Sequence, residues 1–530
     1  LTAAAAVLAA LRDRQEIAIL DLRHEADYAC GHPLFAASMP LGLVEVQAWD
    51  RLPRRDVPIV VYGYGPQMVE RGMRRLRAIG FDNVSDLEGG LTGWTDAGGE
   101  LFTDVNSPSK AFGELVAHER DTPFIVAEDL ERRRRDGADV RLFDVRPAGE
   151  YAAMRVPGAV NVAGCEIVRG IEPRVGRGST IVVNCAGRTR GIIAAQSLVD
   201  LGLAHPVAAL RNGTIGWKLA GLTLDTSPVG DAGSADATSV DAAGGLATAA
   251  RALARRAGVQ FAADDDTNRD GSRTVYRFDV RSASEYEDGH RAGFRHAPGG
   301  QLVQETDVFA AVRGARIVLA GDATGRAELT GSWLAQMGWD VVVEPPAAGG
   351  DLVRGPWAPH RPPRPAVGTV DVDAAEALLA AGAQALDLAP VAVHDSGHVP
   401  GARFARADEV LDVAAALDPP PDGARPLVLT STHGAMAEFA AAELAATTAI
   451  PSVVIDGGTD AWRAAGKPVD VGTQGALSPL IDEYRRPYVG PDVDRATMQA
   501  YLDWEYGLVH QLERDGTHGF RVLPRVSDAS

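Results

Sequence analysis

Short apolar runs recur along this chain, each closed by a polar or glycine-containing cluster. Ile59-Val60-Val61-Tyr62, Ile181-Val182-Val183, Ile317-Val318-Leu319-Ala320 and Leu427-Val428-Leu429-Thr430 are all of strand length. After Ile181-Val182-Val183 and a small loop, Ile192-Ile193-Ala194-Ala195 opens a pattern at helical spacing. Strands alternating with helical patterns predict an α/β fold in which a mainly parallel sheet is flanked by helices.

The pattern repeats. A strand ending in Asp-x-Arg occurs at Ile19-Leu20-Asp21-Leu22-Arg23, Leu142-Phe143-Asp144-Val145-Arg146 and Arg277-Phe278-Asp279-Val280-Arg281, with a worn copy at Ala385-Leu386-Asp387-Leu388-Ala389. A tryptophan follows each: Trp94, Trp217, Trp357 and Trp462, the third in a degenerate setting. Spacings above 100 residues mean duplicated domains, not a solenoid. The expected units are residues 1–105, 106–228, 246–360 and 369–471, with a tail at 472–530. Thr103 to Arg120 is short, so the first two units should pack closely. Asp225 to Gly245 reads as a flexible Ser/Gly/Ala/Asp linker and Pro345 to Gly368 as a stiffer spacer. In the tail, Asp494 is expected to cap a helix through Arg514 that stops at Gly516. Its apolar side, Met498, Tyr501, Leu502, Leu508, Val509 and Leu512, either packs on a neighbouring domain or closes a cleft with its aromatics.

The 530 residues carry a net charge of −19, which argues against nucleic acid and anionic membranes as partners. Three cysteines, Cys30, Cys165 and Cys185, make neither a disulfide framework nor a metal-binding pair, which points to a reducing, cytoplasmic setting. No apolar run is long enough to span a bilayer. The Ala-rich start reads as a helix N-capped by Thr2, in a chain that begins without Met and is taken as trimmed. Arg132 to Arg135 reads as a solvated helix face.

The chemistry gathers at Asn184-Cys185-Ala186-Gly187-Arg188-Thr189-Arg190-Gly191. Cys185 stands at the C-terminal end of a predicted strand, the edge where parallel sheets bind ligands, with helix N–H groups opening behind it. That field, with Arg188 and Arg190, should favour the thiolate; such cysteines titrate at roughly 3.5–7.5. The alternative for a lone cysteine is a buried structural role. Ungapped alignment puts Gly63, Gly321 and Ser431 in the place of Cys185, so one unit in four is expected to be active and the others to be inactive copies. Cys30 occupies a variable position and reads as structural. Cys165, in the active unit, is a structural residue or a relay thiol.

The Cys185–Arg190 loop resembles the six-residue active-site loop of rhodanese-type sulfurtransferases. Phe143-Asp144-Val145-Arg146 with Glu150-Tyr151 is similar to their "D-x-R…E-[FY]" segment, and Asn212-Gly213-Thr214-Ile215-Gly216-Trp217 to their "G-G-x-x-x-W" segment. Met154-Arg155-Val156-Pro157-Gly158-Ala159 departs from their "G-H-I-P-G-A", with Gly and His replaced. The resemblance implies tandem rhodanese-like domains and an enzyme that moves sulfane sulfur from thiosulfate or a similar anionic donor to cyanide or a thiol. It implies a Cys185 persulfide held by Ala186, Gly187, Arg188, Thr189, Arg190 and Gly191, with Asp144 and Arg146 bracing the loop, and neither cofactor nor metal. A protein acceptor and a homodimer stay open. Two rival readings are a non-catalytic sulfur carrier or scaffold, and a cysteine phosphatase or arsenate reductase. The latter resemble C-x5-R, whereas Arg190 gives C-x4-R, a loop better sized for one sulfur.

Overall fold

The computed structural model describes residues 1–229, 244–261, 271–346, 352–417, 425–489 and 492–525. Residues 230–243 of the expected linker and 347–351 of the expected spacer lie outside these. Four five-stranded sheets follow one another along the chain. In the second, the strands run Phe124–Ile125, Val207–Leu210, Thr180–Asn184, Val140–Asp144 and Val160–Asn161 across the sheet, all parallel. The third and fourth repeat this order with their own strands. The apolar runs sit centrally: Ile181, Val182 and Val183 are fully buried between helices on both faces, as strands of a covered parallel sheet must be.

The first sheet departs in two ways. The antiparallel edge strand Val312–Arg313 comes from the third unit and pairs with Ile17–Asp21. The opposite edge is completed by Thr2, which bridges to Leu87 and shares a 2.7 Å hydrogen bond with Ser85 Oγ. Thr2 is therefore not the N-cap of the first helix. That helix spans Ala4–Arg12, and Ala3 stands at its N-cap position without a side-chain bond, because Thr2 pairs with the sheet instead.

The repeated motifs are repeated braces. Arg23, Arg146 and Arg281 each grip the aspartate two residues earlier with two nitrogens, and each donates to a carbonyl eight residues later. Tyr28, Tyr151 and Tyr286 each donate to a carbonyl eight residues on. Trp94, Trp217 and Trp462 each donate to a carbonyl six residues on, whereas Trp357 reaches Asp50 in the first unit.

One buried apolar cluster runs through the first three units and includes Leu508, Leu512 and Phe520 of the tail. The fourth sheet has clusters of its own and meets the first unit through polar contacts such as Arg71 with Glu443 at 2.6 Å. Helix Ser107–Arg120, which follows the first unit, packs on helix Thr189–Asp200 of the second and on helix Arg495–Asp515 of the tail, and its Ser109 Oγ donates to the Gln304 carbonyl of the third at 2.6 Å. Helix Arg495–Asp515 has the expected ends: Asp494 accepts from the Thr497 N–H at 2.9 Å, and Gly516 takes the left-handed conformation at φ +61°. No described helix is long and apolar enough to cross a membrane.

Candidate active site

Cys185 lies where the central strand Thr180–Asn184 gives way to helix Thr189–Asp200. Two clamps shape the turn. The N–H groups of Thr214 and Ile215 donate to the carbonyls of Cys185 and Ala186 at 2.9 and 3.0 Å. Gly213 permits this approach: it sits at φ +54°, and a Cβ there would fall 2.2 Å from the Cys185 carbonyl oxygen. Asn184 Nδ2 donates to Asp144 Oδ2 at 3.1 Å, tying the strand end to the buried Asp144–Arg146 pair. Asp144 and Arg146 thus brace the strand beneath the loop.

Both loop arginines are already paired. Arg188 makes two hydrogen bonds to Glu114, at 2.6 and 2.7 Å, and donates to Asn212 Oδ1 and Tyr506 Oη. Arg190 makes two to Glu150, at 2.7 and 2.9 Å. Thr189 is buried, and its Oγ1 has no partner.

This pairing changes the expected acidity of Cys185. The thiol is only 2% exposed. Burial pushes it up, outweighing the charge of Arg190 and the Gly191 N–H on its sulfur, while Glu505 adds to the rise. The loop alone does not generate a resting thiolate, contrary to the sequence expectation. The physical reason is desolvation, with Glu114 and Glu150 offsetting the two arginines.

The tail helix supplies residues that the motifs did not reveal. Glu505 is fully buried, and one of its oxygens has no partner; the other accepts from Tyr501 Oη at 2.8 Å. A Cβ on Gly187 would lie 3.2 Å from the Tyr501 ring and 3.4 Å from Glu505 Oε2, so this helix covers the loop. Burial and then the charge of Glu114 push the Glu505 carboxyl up to about 8. Lys110, buried beside Asp104 at 3.0 Å, is enclosed by the rings of Tyr488, Tyr501 and Trp504. Both readings of the helix hold: it packs on neighbours, and its aromatics close over the loop. A signal for Glu505 was present, since it is an acid on the same helix face as Tyr501, Leu502, Leu508 and Leu512. Glu114 and Lys110 carried none.

The other cysteines are placed differently. Cys30 is exposed at the end of helix Glu25–Cys30. Cys165 is packed against Gly299 of the third unit, 3.3 Å from where its Cβ would stand, and burial pushes its thiol up to about 12. It lines a cavity of about 30 Å³, the share of one water, together with Thr189 and Arg190. At the positions matching Cys185, a side chain on Gly63 would meet Met68 Sδ at 2.9 Å and one on Gly321 would meet Ala327 Cβ at 2.9 Å.

Comparison with known proteins adds the following. A family model described as "Rhodanese-like domain" matches residues 4–97 and 126–220. The crystal structure of thiosulfate sulfurtransferase from Pseudomonas aeruginosa is 44% identical, covers 98% of each chain and superposes with a TM-score of 0.92. The HTH-type transcriptional regulator Rv0324 of Mycobacterium tuberculosis is 34% identical over 99 residues. That match takes in 18% of this chain and 43% of that protein, so the chain spans less than half the length of this curated relative. The Alr3790 protein from Anabaena sp. is 34% identical over 19% of this chain and 82% of that one, with a TM-score of 0.18. With two family-model matches and 44% identity to a solved relative over nearly all of both chains, the protein belongs to the rhodanese-like family.

Proposed function

We propose that this protein is a sulfurtransferase working through a persulfide on Cys185, with thiosulfate or a similar anion as donor. The observation that carries the reading is the placement of Cys185: a cysteine at the C-terminal end of a central parallel strand, in a loop clamped by Thr214 and Ile215, with the Gly191 N–H on its sulfur. Its family and the thiosulfate sulfurtransferase from Pseudomonas aeruginosa support the same reading.

The chemistry follows from a resting thiol. The sulfur of Cys185 attacks the outer sulfur of thiosulfate and the S–S bond of the donor breaks. The thiol proton leaves with sulfite as hydrogensulfite, and the persulfide anion stays behind. Loop N–H groups of Ala186 to Gly191 and the charge of Arg190 stabilise that anion. Arg188, tied to Glu114, holds the loop in shape. In the second half, cyanide takes the outer sulfur as thiocyanate, or a thiol takes it as a new persulfide carrying the thiol's own proton. Either route releases Cys185 as thiolate, which takes a proton from water to restore the resting thiol. The four units, divided as the repeats suggest, then consist of one catalytic unit and three that support it.

Intact mass after incubation with thiosulfate tests this. Wild type should gain one sulfur that cyanide removes, and Cys185→Ser should gain none. A gain in the variant would move the nucleophile elsewhere, and no gain in wild type with any anionic sulfur donor would end the sulfurtransferase reading.

A further inference from the structure

The tail helix brings an unused carboxyl oxygen to the Cys185 loop. Glu505 is fully buried. Its Oε1 accepts from Tyr501 Oη at 2.8 Å, and its Oε2 has no partner among the described residues. Oε2 is the oxygen turned to the loop. It lies 3.4 Å from where a Cβ on Gly187 would stand, and the Tyr501 ring lies 3.2 Å from the same point. Gly187, with no side chain, lets the carboxyl come this close to the loop backbone.

The state of this carboxyl follows from its neighbours. The two cations whose charges reach it are committed to other acids: Lys110 stands 3.0 Å from Asp104, and Arg188 makes two hydrogen bonds to Glu114. A fully buried carboxylate without an ion partner of its own is costly, so the neutral acid is the stable form. Burial and then the charge of Glu114 push its titration up to about 8. A neutral carboxyl carries one O–H. Oε1 already accepts from Tyr501, which leaves the hydrogen on Oε2. Both oxygens of Glu114 are taken by Arg188, so that O–H has no acid to donate to there. A buried donor without an acceptor is rare and marks where an acceptor belongs.

The reaction itself brings an acceptor to this place. The outer sulfur of a persulfide stands about 2 Å beyond the Cys185 sulfur, within the loop that Oε2 covers. The charge of Glu505 acts on Cys185 directly, so the two groups share one water-poor space. A resting thiol is a weak acceptor, whereas a persulfide anion is a strong one.

We propose that Glu505 is a catalytic residue supplied by the tail, its Oε2–H donating a hydrogen bond to the outer sulfur of the Cys185 persulfide. The inference rests on the sulfurtransferase reading and adds a group to that site from outside the second unit. The proton is not transferred. It stays on Glu505 while the S–S bond of thiosulfate breaks, the Cys185 proton leaves with sulfite as hydrogensulfite, and the persulfide keeps its single negative charge. Because this hydrogen bond gains its strength only once the persulfide has formed, it favours the sulfur-loaded enzyme over the free one.

The test is the loading equilibrium of the full chain. Intact mass gives the fraction carrying one extra sulfur at about pH 7 over a series of sulfite-to-thiosulfate ratios, with the carboxyl still protonated. Glu505→Met fills the same space without the O–H, and a sulfite-to-thiosulfate ratio at least about ten-fold lower should strip its persulfide. Glu505→Gln puts an amide N–H where the O–H stood and still accepts from Tyr501, so it should recover loading to within about three-fold of wild type. Tyr501→Phe cuts the other hydrogen bond of Glu505 and should shift the equilibrium by less than about three-fold. An unshifted equilibrium in Glu505→Met, or an equal shift in Glu505→Gln or Tyr501→Phe, would overturn the assignment, the latter because the cover would then act by packing alone. Should Glu505→Met not fold, the loading constant of wild type relative to Glu505→Gln decides. It should fall by about ten-fold between about pH 7 and pH 9 as the carboxyl ionises, and a flat ratio would overturn the assignment. Failure of the underlying reading is seen separately, as no added sulfur on wild type with thiosulfate and no sulfite.

Discussion

The Thr214 N–H donates to the Cys185 carbonyl at 2.9 Å, and the Thr459 N–H donates to the Ser431 carbonyl at 3.0 Å. Gly213 and Gly458 make both approaches possible; a Cβ would fall 2.2 Å from the first carbonyl oxygen and 1.9 Å from the second. The Gly191 N–H meets the Cys185 sulfur as the Ala437 N–H meets Ser431 Oγ, and helices begin at Thr189 and Ala435. The backbone of the two loops is therefore one construction, and the side chains are not. Arg188 and Arg190 face Gly434 and Met436 in the aligned positions. Asp144 pairs with Arg146, where Asp387 holds His394 Nδ1 at 2.9 Å. The comparison shows that the turn is made by clamps from the neighbouring Gly-Thr segment, independently of nucleophile and charge. A unit can carry neither the cysteine nor the arginines of the second loop and keep its shape.

The largest expected effect removes that difference. Cys185→Ser gives the second loop the side chain of the fourth and should cut sulfur transfer by at least about 10⁴-fold, because the hydroxyl has no comparable acidity. Steady-state turnover with thiosulfate and cyanide measures it. The converse, Ser431→Cys, should leave persulfide at one sulfur per chain, since Met436 supplies no charge where Arg190 does. Two sulfurs per chain would show that the clamped backbone is sufficient.

Next comes the scaffold on which only the second loop depends. Arg188 and Glu114 are each 5% exposed, and Glu114→Ala leaves a buried guanidinium without its carboxylate. Breaking a buried pair this way costs about 3–5 kcal/mol. Urea unfolding should show that loss. Lys467→Ala in the fourth unit, whose partners Asp373 and Glu376 are largely exposed, should lose far less.

A third difference is the cover. The Glu505 carboxyl holds its proton up to about pH 8. It lies among Tyr501, Lys110, Glu114, Arg188 and Cys185. Ionisation puts a negative charge beside the attacking sulfur and the dianionic donor, so kcat/KM should fall above pH 8, by up to about ten-fold per unit. Glu505→Gln should remove that fall. Stability has a definite sign. The unfolded carboxyl titrates near about 4.3. Its folded value is raised, so its contribution is whole below the unfolded value and is lost as pH climbs toward 8. Glu505→Gln should flatten this stretch of the stability profile.

These differences also mark what was legible in the sequence. The alternation of strands and helices and the one cysteine at a strand end follow from local patterns: the run Ile181-Val182-Val183, the Asp-x-Arg repeats and Gly213 before the clamp. Residues whose role depends on another segment left weaker traces. Glu114 sits in an ordinary amphipathic helix until Arg188 is folded onto it, and Lys110 acquires its aromatic enclosure from residues nearly 400 positions away. Thr2 reads as a cap because Ala-rich helices need one, yet an open sheet edge takes it. The acidity of Cys185 was misjudged for the same reason. Two arginines in sequence count as two charges, and only the fold shows each already facing a carboxylate.

The smallest effect concerns a position where the second unit differs from all the others. His32, His290 and His398 stack on Tyr28, Tyr286 and His394 with ring centroids 3.6–3.8 Å apart. The second unit has Arg155, whose guanidinium lies 5.3 Å from the Tyr151 ring centroid and bonds to Asp225 at 2.8 Å. The planar cation takes over the stacking and adds an ion pair at the rim, where such pairs contribute little. Arg155→His should therefore change stability by less than about 1 kcal/mol and leave turnover unaltered, since the backbone pairing of residues 155 and 225 persists without the side chain. A larger loss in thermal unfolding would mean that Arg155 anchors the segment at Asp225 and Ser227 in a way the histidine units do not require.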